Sequence, residues 1–275
     1  MVTQTPAKPR VAVHKFSSCD GCQLAFLNAG EALLQLAERV EIVHFAEAGP
    51  FDPETPVDIA FVEGSISTGD EVERIRAVRA NSRLLVTLGA CATAGGIQAL
   101  RNIADHEAWK GAVYASPEHI ETLAQSRAVA ELVPVDFEIQ GCPVNGAQVM
   151  AIVSQLLVSA TPRLPGANVC MECKRAGNAC VMVTGDEPCM GPITRGGCGA
   201  LCPGVGRACY GCFGPVADAG GNETVRNWMD RLHRMGEPDE AVAQRLLFIN
   251  AHAPRWRKAA PAVISSPAPK GGQTS

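Results

Sequence analysis

Twelve cysteines in 275 residues constrain this chain more than any other feature. A chain of this length can bury a hydrophobic core, so it does not need cysteines for stability. The N-terminus shows no secretory signal or twin-arginine pair, and no apolar run is long enough to span a bilayer. We therefore expect a cytoplasmic protein, in which thiols serve as metal ligands rather than as disulfides because that compartment is reducing.

The bulk composition is that of a globular protein, with 47% hydrophobic and 19% charged residues. A formal net charge of -4 gives no electrostatic footprint for nucleic acid or anionic lipid. The aromatic content of 5% also argues against stacking on single-stranded nucleic acid. We expect soluble protein partners, no nucleic acid and no membrane.

Residues 1–160 alternate short β-branched runs with amphipathic segments, which predicts a parallel sheet covered by helices. The predicted strands are VAVHKF, VEIVHF, VDIAFVEG and RLLVTLG. Apolar residues recur at helical spacing in 23–37 (Leu24, Leu27, Leu34) and in 70–80 (Val72, Ile75, Val78). The fold class is therefore α/β, with a flavodoxin-like doubly wound domain followed by a small Cys-rich domain.

Residues 161–258 have a different character, with eight cysteines among many glycines. Few apolar residues recur with any period in the stretch up to Pro215, so bound metal would have to supply much of the folding free energy there. Residues 224–248 are predicted to form one or two helices that pack locally through Trp228, Met229, Leu232 and Met235. Residues 259–275 are rich in Pro, Ala, Ser and Gly, which predicts a disordered tail.

The first four cysteines follow predicted strands. Cys19 and Cys22 form a CxxC after the first strand, Cys91 comes directly after RLLVTLG, and Cys142 follows another apolar run. A lone CxxC also fits a thioredoxin-type redox pair or half a zinc site. Because loops after neighbouring parallel strands open at one edge of the sheet, the four cysteines can converge there. That arrangement suits a 4Fe-4S cubane.

The other eight cysteines fit two more cubanes. They are Cys170, Cys173, Cys180, Cys189, Cys198, Cys202, Cys209 and Cys212. The CxxC pairs and the Cys202–Pro203 step are similar to the bacterial ferredoxin run. We expect Cys170 and Cys173 to share one cluster and Cys209 and Cys212 the other, with the remaining four unassigned. Zinc ribbons use the same four-cysteine stoichiometry and stay open as an alternative.

Several segments resemble the small subunits of nickel-iron hydrogenases. SSCDGCQLAFL, FVEGSISTG, GACATAGGI and GCPVNG occur in that order in the family and cover most of the first half. CMGPITRGGCGALCP followed by CYGCFGP resembles the end of cytoplasmic small subunits that work with a flavin-bearing partner. The resemblance implies that Cys19, Cys22, Cys91 and Cys142 bind the proximal 4Fe-4S cluster, and that three 4Fe-4S clusters are held in all.

The resemblance also implies the function and the partners. The chain would relay electrons between the NiFe centre of a large subunit and a flavin/iron-sulfur, diaphorase-type partner that uses NAD(P) or sulfur. The NiFe centre and the flavin would lie only on partner subunits. Two alternatives stay open, namely a hydrogenase coupled to heterodisulfide reductase and, from a different class, a zinc-binding scaffold protein.

Two further expectations concern side chains near the proposed clusters. Glu63, in the VEGSI loop, matches an acidic position that the family places between the proximal cluster and the large subunit, where it would relay protons or cap the next helix. Twelve cysteines suffice for three clusters, so the six histidines (His14, His44, His106, His119, His233 and His252) are expected to be surface or packing residues.

Overall fold

The computed structural model of the chain describes residues 8–164, 166–217 and 222–260. Its centre is one five-stranded sheet in the order β2-β1-β3-β4-β5, with every neighbouring pair parallel. The strands are β1 (Arg10–Lys15), β2 (Glu41–Phe45), β3 (Val57–Glu63), β4 (Ser82–Leu88) and β5 (Phe137–Ile139). This is the flavodoxin-like doubly wound order, so the predicted α/β fold is confirmed.

Helices cover both faces of the sheet. In the first half they are α1 (Gly21–Leu27), α2 (Glu31–Arg39), α3 (Gly69–Ala80), α4 (Gly89–Ala94), α5 (His106–Val113) and α6 (Gly146–Leu157). Short 3-10 turns span Ile97–Ile103, Pro117–His119 and Val129–Glu131. One buried apolar cluster packs β1, β3 and β4 against α1, α2 and α6, and a second packs the opposite face against α3.

Helix α3 forms where the sequence predicts it. Thr68 accepts a hydrogen bond from the backbone N–H of Glu71, and the Glu71 carboxylate accepts the N–H of Thr68, which completes a capping box. Ile75 and Val78 are buried against the sheet. The apolar pattern of residues 70–80 therefore reports the buried face correctly.

The single helix expected over 23–37 is wrong. The chain breaks between α1 and α2, where Gly30 has a positive φ of 58° that only glycine adopts readily. Leu24 and Leu34, two of the residues on the predicted apolar face, are 51% and 68% exposed. Phe26 and Leu36 are buried instead, because the break sets a separate rotation for each short helix.

The second half contains six helices among the described residues: α7 (Val169–Arg175), α8 (Val181–Thr184), α9 (Leu201–Gly204), α10 (Asn222–Arg234), α11 (Asp239–Leu247) and α12 (Pro254–Ala259). Trp228, Leu232, Leu246 and Trp256 are buried in one apolar cluster with Met190 from the Cys-rich stretch. The predicted packing of residues 224–248 is thus observed. These helices also give the Cys-rich segment an apolar core, which the sequence analysis assigned chiefly to metal.

The predicted domain boundary, at residue 160, lies between α6, which ends at Leu157, and α7, which begins at Val169. Ala94 and Ala99 of the first half share the apolar cluster of the second, so the two halves pack together. The predicted tail, 259–275, lies outside the described residues except for its first two. Within the ranges given above, no helix combines the length and apolarity that crossing a membrane requires.

Candidate metal centres

Four cysteines lie at the carboxyl edge of the sheet. Cys19 follows β1, Cys22 lies in α1, Cys91 lies in α4 directly after β4, and Cys142 follows β5. The Cys91 and Cys142 thiols lie close enough to Cys22 to raise its pKa electrostatically. The Cys142 and Cys19 thiols do the same to Cys91. The structure therefore brings the four predicted thiols together, and we call them the first cysteine group.

Burial governs the chemistry of this group. Desolvation, with smaller contributions from neighbouring thiols, raises the pKa of the Cys22 thiol far above its usual range and that of Cys91 to about 12. A buried thiolate without a positive partner is unfavourable. A metal that replaces the protons removes this penalty, so the donor set is suited to a cationic centre.

Glycines leave the space that these sulfurs occupy. A β-carbon added at Gly89 would overlap Sγ of Cys22, and one at Gly96 would overlap Sγ of Cys91. Both glycines also have positive φ, of 82° and 60°. Only glycine therefore allows the backbone to pass so close to these two thiols.

Glu63, at the end of β3, is buried and points at the CxxC helix. Its Oε1 accepts a hydrogen bond from the backbone N–H of Cys22 at 2.9 Å, and its Oε2 accepts one from Nε2 of Gln23 at 2.8 Å. Burial raises the pKa of Glu63, and these two hydrogen bonds act in the opposite direction. The carboxylate thus satisfies a first-turn amide of α1, whereas Thr68 caps the next helix in the chain.

A second cysteine group lies around α7. It consists of Cys170 and Cys173 in that helix, Cys180 at the start of α8, and Cys189. Burial, with smaller contributions from the other three thiols in the order Cys189, Cys180, Cys173, raises the pKa of Cys170 to about 11. A β-carbon added at Gly191 would lie 3.3 Å from Sγ of Cys170 and 3.4 Å from Sγ of Cys189.

The remaining four cysteines, Cys198, Cys202, Cys209 and Cys212, make up the third cysteine group. Burial, with smaller contributions from neighbouring thiols that include Cys198 and Cys202, raises the pKa of Cys212 to about 12. Burial likewise raises the pKa of Cys209 to about 12, with contributions from Cys189 and then Cys212. Cys189 of the second group also interacts with Cys202, so it lies close to the third group.

Backbone amides of one group donate to thiols of the next. The backbone of Cys142 donates to the thiol of Cys212, which links the first group to the third. The N–H of Cys209 donates to Sγ of Cys189 at 3.2 Å, which links the third group to the second. The three groups are therefore in series, with the third in the middle.

The spacing of the thiols bears on which metal they fit. Among the described residues, no three His, Cys, Asp or Glu side chains stand close enough together to hold one metal ion. In an iron–sulfur cluster each thiolate binds its own iron, so four thiols can surround a cluster without meeting at a point. The grouping is therefore suited to multi-iron clusters.

The six histidines contact other groups. His14 packs against His44 with ring centroids 4.8 Å apart, and His44 packs on Phe51. Nδ1 of His252 lies 2.8 Å from the Glu131 carboxylate. The remaining three contact Thr122 (His106), Glu118 (His119) and Asp239 (His233).

Glu172 is a residue that the sequence analysis did not single out. It lies between Cys170 and Cys173, yet its carboxylate accepts the N–H of Gly197 at 2.7 Å and that of Ala200 at 3.2 Å. The only signal for it in the sequence is its place inside the CxxC spacing. Its partners could not be predicted because they lie on a distant loop.

Known proteins resemble this chain along its length. A profile of the family described as NADH ubiquinone oxidoreductase, 20 Kd subunit, matches residues 19–156. The sulfhydrogenase 2 subunit delta of Pyrococcus furiosus is 34% identical over 237 residues, which cover 86% of this chain and 97% of that protein.

Two NAD-linked relatives match just over half of the chain. The NAD-reducing hydrogenase HoxS subunit delta of Cupriavidus necator is 30% identical over 165 residues, covering 54% of this chain and 79% of that protein. In the crystal structure of an NAD+-reducing NiFe-hydrogenase in the H2-reduced state, one chain superposes with a TM-score of 0.53 at 30% identity, covering 57% of this chain and 96% of that one.

Proposed function

The chain belongs to the family of the 20 Kd subunit of NADH ubiquinone oxidoreductase and is the small, electron-transfer subunit of a NiFe hydrogenase; from this premise we propose that its iron–sulfur centres are three 4Fe-4S clusters. The observation that carries this proposal is the serial arrangement of three four-cysteine groups, joined from Cys142 to Cys212 and from Cys209 to Cys189.

The ligand assignment follows the three groups. We propose that the first group (Cys19, Cys22, Cys91, Cys142) holds the cluster proximal to the large subunit. The third group (Cys198, Cys202, Cys209, Cys212) would hold the middle cluster, and the second group (Cys170, Cys173, Cys180, Cys189) the outer one. Support comes from the electrostatic neighbours of Cys22, which include Cys91 and Cys142, and from those of Cys170, which are Cys189, Cys180 and Cys173. Cys212 interacts with Cys198 and Cys202 of its own group as well as with Cys142.

Clusters held there would accept and release electrons one at a time. The chain itself supplies the thiolates, buries those of Cys22, Cys189 and Cys209 away from water, and donates amide N–H groups to sulfur. Cys189 accepts two of these, from Gly191 at 3.5 Å and from Cys209 at 3.2 Å. Such hydrogen bonds stabilise the added negative charge and are one of the means by which a protein sets a cluster's reduction potential.

The partners are proposed from the relatives and from the order of the groups. The small subunit pairs with a hydrogenase large subunit, which carries the NiFe centre. We propose that the outer cluster faces a flavin/iron-sulfur, diaphorase-type subunit that uses NAD(P) or sulfur, and that the complex works in the cytoplasm. The match to a sulfhydrogenase subunit extends over both halves, whereas the NAD-reducing relative matches 54% of the chain.

The two alternatives are not favoured. Both curated relatives described above are named as hydrogenase subunits, one a sulfhydrogenase and one NAD-reducing. Neither name refers to heterodisulfide reductase, and neither describes a zinc scaffold.

We propose that Glu63 relays protons beside the proximal cluster. Its burial and its raised pKa allow the carboxyl to bind and release a proton closer to neutral pH than an exposed glutamate. Its hydrogen bond to the N–H of Cys22 places it directly behind a ligand.

Metal analysis of the anaerobically purified complex tests the cluster proposal. We expect about twelve iron atoms for each copy of this chain, four for each cluster, in addition to the iron of the partner subunits. About three zinc per chain, with no iron beyond that of the partner subunits, would instead support structural zinc sites. Cys91→Ala should lower the iron content by about four atoms and abolish hydrogen-dependent electron transfer.

A control for Cys91→Ala lies on the same helix. The Thr93 hydroxyl donates only to the Gly89 carbonyl, at 3.0 Å, so Thr93→Ala should keep its full iron content. Normal cluster content and full activity in the Cys91→Ala variant would refute the assignment of Cys91.

A further inference from the structure

Glu172 connects the second cysteine group to the third. Its backbone lies in α7 between Cys170 and Cys173, but its carboxylate contacts the loop of residues 196–200, which carries Cys198. The two amides that donate to it, those of Gly197 and Ala200, stand on either side of that cysteine. Sγ of Cys198 itself lies 4.0 Å from Oε2 of Glu172.

The loop that Glu172 holds has an unusual backbone. Gly197, Gly199 and Ala200 all have positive φ, of 135°, 67° and 55°. An alanine in the left-handed region is strained and persists where surrounding contacts fix it. The N–H of Ala200 is one of the two donors to Glu172, so the carboxylate anchors the strained residue directly.

The space around the carboxylate is also reserved for it. A β-carbon at Gly196 would lie 2.9 Å from Oε1 of Glu172. Glycine at 196 therefore allows the carboxylate to reach the loop, which then continues through Ala200 into α9 and Cys202. One side chain thus fixes the backbone around two of the four thiols of the third group.

We propose that Glu172 is a positioning residue that fixes the Cys198 loop against the middle cluster. Its negative charge also lowers the reduction potentials of the middle and the outer cluster. The physical reason is that a nearby carboxylate disfavours an added electron. This inference rests on the proposed assignment of the second and third groups as ligands of two separate clusters.

The first test is Glu172→Gln in the complete hydrogenase complex, with the potential of each cluster followed by an EPR-monitored redox titration. Glutamine keeps the shape and one acceptor oxygen but removes the charge. We expect the midpoint potentials of the middle and outer clusters to rise together while that of the proximal cluster stays unchanged. Unchanged potentials of both the middle and the outer cluster would overturn the proposal.

Glu187→Gln provides a charge-matched control. Glu187 also lies close to a ligand, two residues before Cys189, but within the described residues its side chain has no hydrogen bond to the 196–200 loop. We expect this variant to move the potential of the outer cluster alone. Equal shifts of both clusters in both variants would mean that charge alone is responsible, and would overturn the positioning role.

Glu172→Ala tests positioning separately, because it removes both acceptors. We expect the loss of about four iron atoms per chain, with Glu172→Gln retaining them. Full iron content and wild-type potentials in Glu172→Ala would contradict the proposal. A wild-type complex with no iron beyond that of its partner subunits would instead refute the cluster assignment itself, so the two failures are distinguishable.

Discussion

The backbone of Cys142 donates a hydrogen bond to the thiol of Cys212, across the junction of the two halves of the chain. Cys142 follows the last strand of the sheet, and Cys212 belongs to the Cys-rich segment. The N–H of Cys209 repeats the arrangement by donating to Cys189. Between each pair of neighbouring proposed clusters, the peptide N–H of a ligand of one cluster thus donates to the sulfur of a ligand of the other.

Gly96→Ala should disturb the first cysteine group. The added β-carbon would overlap Sγ of Cys91, and the positive φ of 60° would also be strained. We expect a loss of about 1–2 kcal/mol from backbone strain, together with displacement of the thiol and loss of about four iron atoms. Iron analysis and thermal unfolding measure the two effects.

Gly30→Ala separates these effects. Gly30 has a similar φ of 58°, but a β-carbon there would meet nothing within 4 Å. This variant should lose stability while keeping its full iron content. Equal iron contents in the two variants would show that Gly96 is not needed for the Cys91 thiol.

Glu63→Gln should separate proton transfer from capping. Glutamine keeps an oxygen that accepts the N–H of Cys22 but cannot exchange a proton, so hydrogen-dependent turnover should fall about 10²-fold with iron content unchanged. Turnover is measured with an artificial acceptor over a range of pH. If Glu63 only caps α1, turnover should stay normal, with a change in stability of about 1 kcal/mol or less.

The buried pair of His14 and His44 should make the protein sensitive to acid. Burial and the neighbouring His44 lower the pKa of His14 from 6.5 to about 3, and burial lowers that of His44 as well. Since the unfolded state then binds more protons, stability is full above about pH 6.5 and falls as the pH drops towards 3. Between these two values His14 contributes a slope of about 1.4 kcal/mol per pH unit, and His44 adds to it in the same direction.

Urea unfolding between pH 7 and 5 checks this slope. His14→Gln should flatten it by about one proton's contribution, because the replacement does not titrate. His119, whose side chain is 80% exposed, provides the control, and His119→Gln should leave the slope as in the wild type. Equal slopes in all three proteins would contradict the prediction.

Trp228→Phe should destabilise the second half. The Trp228 indole is buried and its Nε1–H donates to the carbonyl of Cys189 at 2.8 Å. Phenylalanine leaves that carbonyl without its donor, which costs about 1–3 kcal/mol. Thermal unfolding gives the change, and Trp109→Phe, at a site 42% exposed, should alter stability by about 0.5 kcal/mol or less.

Local patterns predicted the sheet and α3 well, because alternation and helical spacing record which face of an element is buried. The same reasoning failed for 23–37, where Leu24 and Leu34 are exposed. Helical spacing cannot show that Gly30 adopts a positive φ, because glycine is compatible with many conformations. Local patterns also did not predict that the C-terminal helices give the Cys-rich segment an apolar core, because that core forms between residues far apart in the chain.

The sequence by itself determined the class of fold, the count of twelve thiols and their order along the chain, because strand alternation and residue type are local properties. Only the tertiary structure decided which thiols stand together. The proposed division of Cys180, Cys189, Cys198 and Cys202 between two clusters depends on loops whose conformations are fixed by glycines with positive φ and by the Glu172 carboxylate. Those contacts join residues far apart in the chain, and spacing alone carries no record of them.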